Sequence, residues 1–209
     1  MRGTVVPTVV KLGGSYAFSS ALKSWIDAVA ACAGRVVVVP GGGPFAETVR
    51  VAQPKMGFDD RAAHAMALLA MEQYGCALAS LGAGWRLAAS AAAIQDVLRE
   101  GGVPVWSPTA MLREANDVPW SWDVTSDSLA AWLAGRIGAK RVLLIKQLEP
   151  PPGRLRAADL VADGIIDPAF PRFLRASGAQ AFIAGPAGHA AAATAMRNGA
   201  AVGAAIELG

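Results

Sequence analysis

Short, wholly apolar runs alternate along this chain with longer stretches in which apolar residues recur every three or four positions. The first pattern marks strands buried on both faces and the second marks amphipathic helices. Their alternation predicts an α/β fold with helices packed on a mainly parallel open sheet. Thr4 to Lys11 reads as the first strand. Ser19 to Ala33 follows as a helix, with Leu22, Ile26, Val29 and Ala30 on one face and Ser19 or Ser20 as its cap. Arg35 to Val39 is the next strand and completes a βαβ unit, so the two strands are expected to be parallel and adjacent. Further helices are expected at Phe45 to Val51, Arg61 to Leu81 (interrupted at Gly75), Ala88 to Glu100, Ser126 to Ile137, Asp167 to Ala176 and Gly188 to Asn198. Strands are expected at Val103 to Trp106, Arg141 to Lys146, Ala181 to Ala184 and Gly203 to Leu208. Gln53 to Asp60 reads as a polar connection, Gly82 to Trp85 as a turn, and Ser107 to Asp117 as a short helix and loop. Glu149 to Arg156, with Pro150-Pro151-Pro152-Gly153, reads as an exposed loop. No repeat or linker divides residues 1–209, which are read as one domain.

Two glycine turns stand out because each follows a strand directly: Lys11-Leu12-Gly13-Gly14-Ser15 and Val39-Pro40-Gly41-Gly42-Gly43-Pro44. Successive glycines let backbone N–H groups converge on an anion. Parallel neighbours end at one sheet edge, so both nests are expected to open on one crevice and to grip two phosphate-bearing partners. Lys11 stands where its ammonium reaches phosphates on the first turn, and phosphoryl transfer depends mainly on such charge neutralisation. Asp127, at the start of the Ser126 helix, is placed to orient that ammonium, because Asp123 and Ser126 are alternative caps. Lys146 closes the strand Val142-Leu143-Leu144-Ile145 and is a second cation at a strand end. Gly41-Gly42-Gly43-Pro44-Phe45-Ala46 also satisfies a dinucleotide-type glycine pattern. That pattern expects an acidic residue at the end of the following strand, whereas Asp59 and Asp60 fall in a polar loop.

Charge and composition narrow the partners. The formal net charge is +3 with no basic run, which argues against nucleic acid and suits small anionic ligands. Cys32 and Cys76 form no metal or disulfide framework and are read as buried free thiols. The longest stretch without formal charge, between Arg175 and Arg197, carries Gly185, Pro186 and His189 and suits a strand, turn and helix rather than a membrane span. No leader pattern is read at the start, so the cytoplasm is the expected compartment. The apolar Arg61 to Leu81 helix suggests either a homo-oligomer interface or a core helix. His64 on that helix reads as a core or interface group, and His189 as a helix-start residue. Trp85, Trp106, Trp120 and Trp122 lie in or near loops and read either as plain core or, for some of them, as walls of a pocket for a flat ring.

Lys11-Leu12-Gly13-Gly14-Ser15, Pro40-Gly41-Gly42-Gly43 and Ser126-Asp127-Ser128, in this order and spacing, resemble the amino acid kinase superfamily. The strings His64-Ala65-Met66-Ala67-Leu68, Trp122-Asp123-Val124-Thr125 and Asp167-Pro168-Ala169-Phe170-Pro171 resemble a small archaeal-type branch that includes the kinase of methanofuran biosynthesis. The resemblance implies a three-layer αβα sandwich, with ATP over the carboxyl half of the sheet and the acceptor over the amino-terminal half. The implied reaction converts a phosphomonoester, 5-(aminomethyl)-3-furanmethanol phosphate, to its diphosphate. Lys11, Asp127 and Lys146 are the implied catalytic residues, and Gly13, Gly14, Ser15 and Lys146 the implied ATP-phosphate contacts. Gly41, Gly42 and Gly43 would hold the acceptor, with Asp59, Asp60 or Glu47 near its ammonium. Mg²⁺ would arrive with ATP, held largely by phosphates and water. The chain departs from the family pattern in several places, with Gly203-Ala204 where a Gly-Thr is often found. Lys146-Gln147-Leu148-Glu149-Pro150 replaces its usual Thr-Asp motif, and residues 147–209 contain no lysine. Either Lys146 or Arg172 would then supply the second cation. A non-catalytic anion-binding homologue and a kinase for another acceptor (a nucleoside monophosphate, isopentenyl phosphate or a carboxylate) stay open.

Overall fold

The computed structural model describes residues 5–198 and 200–209. Thr4, the first residue of the expected opening strand, lies outside them. Strand β1 is Thr8–Leu12, and Val5 ahead of it exchanges two hydrogen bonds with the Gln95 side chain. A 3-10 turn (Gly14–Phe18) leads into helix α1 (Ala21–Ala30), which returns the chain to β2 (Val36–Pro40). Next come α2 (Gly43–Met56), α3 (Asp60–Leu81), β3 (Trp85–Ala88), α4 (Ala91–Arg99), β4 (Val103–Trp106) and α5 (Pro108–Arg113). The remainder is α6 (Ser126–Ile137), β5 (Arg141–Ile145), β6 (Arg154–Arg156), α7 (Ala157–Ala162), α8 (Phe170–Ser177), β7 (Gln180–Ala184), α9 (His189–Arg197) and β8 (Ala204–Glu207).

The strands form one sheet in the order β3-β4-β2-β1-β5-β7-β8-β6. β1 lies between β2 and β5, parallel to both, and among the described residues only the β7–β8 pairing is antiparallel. Helices cover both faces, which is why β1, β2 and β5 are buried along nearly their whole length and, Lys11 apart, carry apolar side chains there. Side chains alternate between faces along a strand. Val9, Val37, Val142 and Leu144 pack with Leu129, Ala130 and Leu133 of α6. Val10, Leu12, Val38, Leu143 and Ile145 pack on the opposite face with Trp25, Ile26 and Val29 of α1. The same period carries Lys11 and Lys146 onto the α6 face, two residues beyond Val9 and Leu144.

Several expectations give way to tertiary contacts. The connection expected over Gln53 to Asp60 is largely helix, because α2 continues through Pro54 to Met56 before Gly57 closes it at φ 74°. Gln53 is pinned there from both sides, accepting from Trp122 Nε1 at 2.7 Å and donating to Asp60 at 2.8 Å. α3 runs through Gly75 without a break, over Pro40 and Val105. Trp85–Ala88 is a strand rather than a turn entering a helix, and Arg154–Arg156 is a strand rather than loop. Both are edge segments that owe their form to pairing with β4 and β8. Asp167 lies ahead of α8 rather than inside it. Cys32 is buried as expected, but Cys76 is exposed on the outer side of α3. Among the described residues no helix is long and apolar enough to cross a membrane.

The two glycine turns touch. An ideal Cβ on Gly14 would stand 2.2 Å from Gly43 N, and one on Gly41 would stand 2.3 Å from Gly14 N. Gly43 also has φ +58°, where a side chain is strained. Gly14→Ala is therefore expected to cost about 1–3 kcal/mol through overpacking, a fall in Tm of roughly 2–12 °C for a chain of this size. Circular-dichroism melting checks this, and an unchanged Tm would contradict the contact.

Candidate active site

The site is assembled at the carboxyl ends of β1, β2 and β5. The backbone stitches these ends together. Gly13 N–H donates to Ile145 O at 3.2 Å, and Gly41 N–H donates to Leu12 O at 2.9 Å. The Tyr16 hydroxyl donates to Lys146 O at 2.8 Å, and Gln147 Nε2 donates to Ser15 O at 2.9 Å. Gly13 and Gly41 thus direct their N–H groups inward to the sheet. Gly14, Ser15, Gly42 and Gly43 instead line an open cavity of about 540 Å³. Their N–H groups meet no acceptor among the described residues, and no side chain caps the start of α2. Free amides at a helix start, beside a second glycine turn, form a cradle for phosphate oxygens.

Beneath the cradle lies a buried charge cluster. Asp127, in the first turn of α6, is 2% exposed. Its Oδ2 accepts a hydrogen bond from Lys146 Nζ at 2.5 Å, and its Oδ1 lies 2.9 Å from Lys11 Nζ. The Lys11 contact has ion-pair distance without the direction of a good hydrogen bond, since Oδ1 accepts none. Burial pushes the Lys11 pKa down and the Lys146 charge adds to this, so the pull of Asp127 only partly compensates. For Asp127, burial favours the neutral acid, but the two ammoniums outweigh it and hold the pKa below the usual carboxylate range. The cluster is one carboxylate shared by two cations, a charged pivot that can orient both ammoniums toward an anion in the cradle.

Arg172 is not part of this cluster. Its guanidinium donates to Asp117 O and lies over the Phe173 ring, so Lys146 supplies the second cation beside Lys11. Nor do Asp59 and Asp60 reach the cavity. Asp59 caps α3 by accepting from Ala62 N at 2.8 Å, and Asp60 is engaged by Gln53. Glu47, one turn into α2, is the carboxylate on the cavity wall, 3.0 Å from Arg50 Nη1. Trp122 also lines the cavity, with the Arg50 guanidinium 4.7 Å from its ring centre. His64 lines it as well, and burial lowers the imidazole pKa. Trp120 faces an adjoining cavity of about 290 Å³ that shares His64 and Leu68, while Trp85 and Trp106 are core. His189 sits edge-on to Trp25.

Sequence reasoning missed Asp167 as a site residue. It is buried, and from 42 positions away it accepts Thr125 N at 2.9 Å and Thr125 Oγ1 at 2.5 Å, and also Ser128 N at 2.9 Å. Only the run of an acidic residue before Pro168 hinted that it stood outside a helix.

A mainly parallel sheet with helices on both faces, and glycine turns over a lysine–aspartate cluster at its carboxyl edge, define a class of α/β protein with a crevice suited to an anion. The amino acid kinase family model matches residues 7–149, and the chain belongs to that family. It is similar to the (5-(aminomethyl)furan-3-yl)methyl phosphate kinase of Methanocaldococcus jannaschii, at 24% identity over 181 residues, covering 80% of this chain and 82% of that protein. Its fold resembles that of uridylate kinase from Archaeoglobus fulgidus, with TM-score 0.70 at 18% identity, covering 97% of this chain and 100% of that one. It also resembles isopentenyl phosphate kinase, with TM-score 0.59 at 17% identity, covering 96% and 99%.

The cluster carries a stability prediction with a defined pH dependence. Asp127→Ala leaves the buried Lys11 ammonium and the partly buried Lys146 ammonium unpaired and is expected to cost about 3–5 kcal/mol at pH 7. The folded pKa of Lys11 lies below its ordinary value of 10.5, so the native state binds fewer protons than the unfolded state just below that value. Folding is therefore favoured as pH rises through this window, and the variant's deficit is expected to shrink there. Asp127 acts at the other end: the stability it supplies is present above the ordinary carboxylate range and is lost as pH falls through its lowered pKa. Denaturant melts of both proteins at neutral, alkaline and acid pH check all three statements.

Proposed function

We propose that this chain is an ATP-dependent kinase that transfers the γ-phosphoryl group to a small phosphomonoester, with 5-(aminomethyl)-3-furanmethanol phosphate as the acceptor. One observation carries the reading: a buried ammonium, Lys11, and a partly buried one, Lys146, share one carboxylate beside touching glycine cradles that open on a cavity large enough for a compact ring phosphate. Family membership and the similarity to a phosphate kinase support it.

The acceptor phosphate would rest on the N–H groups of Gly42 and Gly43 at the start of α2, and the transferring group on those of Gly14 and Ser15. Lys11 and Lys146 would neutralise charge as it spreads over the transferring phosphoryl oxygens. An acceptor phosphate oxygen is already a nucleophile, so no side chain has to remove a proton. Positioning and preorganised charge supply the catalysis. The donor nucleotide would lie beyond Lys146, where Leu148, Pro150 and Pro151 border a further cavity of about 270 Å³ with Leu155, Leu160 and Ile165 on its apolar wall. Both oxygens of Asp127 face ammoniums, and no group of metal-ligating side chains forms among the described residues, so an Mg²⁺ would be held by the ATP phosphates and water. When bound, that ion would supply further charge neutralisation.

Glu47 and Trp122 suit the proposed acceptor, with a carboxylate for its ammonium and an aromatic wall for its furan ring. The same reading covers the expectation of a small-molecule phosphate partner.

ADP release with a panel of acceptors tests the proposal, and the panel should include uridine monophosphate and isopentenyl phosphate. Turnover is expected to be highest with the aminomethyl-furan phosphate, and preference for another acceptor would overturn the assignment. Lys11→Ala is expected to lower kcat by about 10²–10³. Unchanged turnover would remove Lys11 from the mechanism. Glu47→Gln is expected to raise KM for the ammonium-bearing acceptor by about tenfold, the worth of one charge-assisted hydrogen bond, and to leave the analogue without the amine unchanged.

A further inference from the structure

Asp167 has no place in the chemistry described above, yet it is one of the few charged side chains buried in the protein. It occupies the N-terminus of α6 from the turn before α8. A helix start leaves its first N–H groups without partners, and short polar residues nearby in sequence usually answer them. That is what Asp59 does for α3 and Ser90 for α4. At α6 the local candidates do not cap. Thr125 sits at the cap position but its hydroxyl donates to Asp167 instead. The Asp167 carboxylate takes both the Thr125 and the Ser128 N–H. These two bonds bracket Asp127. The same turn is tied again to the cavity wall by Ala169 N–H donating to Asp123 O at 3.2 Å.

A neutral cap would satisfy the same N–H groups without burying a second anion beside Asp127. Burial, followed by the charge of Asp127, pushes the Asp167 pKa up, so this choice costs stability. The charge has a local counterpart in the two ammoniums. Lys11 is faced by Asp127 from α6, by Lys146 from the end of β5 and by Asp167 from the turn before α8.

We propose that Asp167 is a positioning residue for phosphoryl transfer, clamping the first turn of α6 so that Asp127 holds Lys11 and Lys146 in register with the cradle. This rests on the kinase reading above. The anion also favours the protonated form of Lys11, the form that neutralises phosphate charge.

The test compares Asp167→Asn, which keeps the shape and one acceptor but removes the charge, with Ser90→Ala, which removes an ordinary cap far from the cavity. Asp167→Asn is expected to lower kcat by about 10- to 100-fold, the scale of a small misplacement of catalytic groups, with KM for both substrates nearly unchanged. The alkaline limb of its kcat profile is expected to move to lower pH, because Lys11 loses a stabilising negative charge. Ser90→Ala is expected to lower Tm and leave kcat and the pH limb alone. If Asp167→Asn behaves as Ser90→Ala does, the proposal is overturned and Asp167 is a cap. Should Asp167→Asn fail to fold, Thr125→Val removes the hydroxyl contact alone. A severalfold loss of kcat then supports the proposal and an unchanged kcat sinks it. Should the wild-type protein release no ADP with any acceptor, the kinase reading fails by itself. The clamp is then read from the Lys11 titration by ¹³C NMR of labelled lysine side chains. A lower midpoint in Asp167→Asn supports the clamp, and equal midpoints overturn it.

Discussion

A buried ammonium is tolerated only where an opposite charge is buried with it, and this constraint organises the molecule around Asp127. Lys11 stands on a central strand, covered by α6, with almost no solvent to stabilise its charge. Without the carboxylate, β1 and α6 would repel the very contact that packs them. The requirement reaches back to strand register. Lys11 pairs with Leu144 of β5, and Lys146 lies two residues further on, so both lysines emerge on the α6 face. A shift of one residue would send Lys11 into the apolar layer under α1.

Close packing of backbone performs the second part of the work. β1 and β2 end side by side, and their turns approach until no Cβ fits between Gly14 and Gly43. Proximity of this kind lets two amide cradles address one small volume. It also separates structural from available N–H groups. Gly13 and Gly41 hold the strand ends together, and their neighbours remain turned toward the cavity. The arrangement is rigid where a phosphate would sit and open where an organic tail would extend, past Glu47 and Trp122 toward His64.

Much of this was legible in the chain, and the misses share a cause. The βαβ unit, the long third helix and α6 follow from periodicity, which reports burial over many residues. The strands Trp85–Ala88 and Arg154–Arg156 are too short for a period to develop, and they exist because β4 and β8 lie alongside. Asp59 and Asp60 looked like acceptor contacts because they follow the second cradle in sequence. In space one of them caps α3, and α2 carries the chain past the cavity before they are reached. Their neighbour Glu47 lines the wall because it lies one helical turn from the cradle.

Sequence by itself determined the class of fold and the three charged residues at its centre. Buried strands must be apolar, tight anion-facing turns favour glycine, and a lysine or aspartate at an element's end is visible wherever the element falls. Tertiary structure alone decided which of these groups meet. Asp167 reads as one more acidic residue near a helix start. Only the packing of α8 against α6 brings it to the first turn of a helix that begins some forty residues earlier. Spacing along a chain encodes local geometry, whereas contact between distant side chains is set by how layers pack, and no period in the sequence records that.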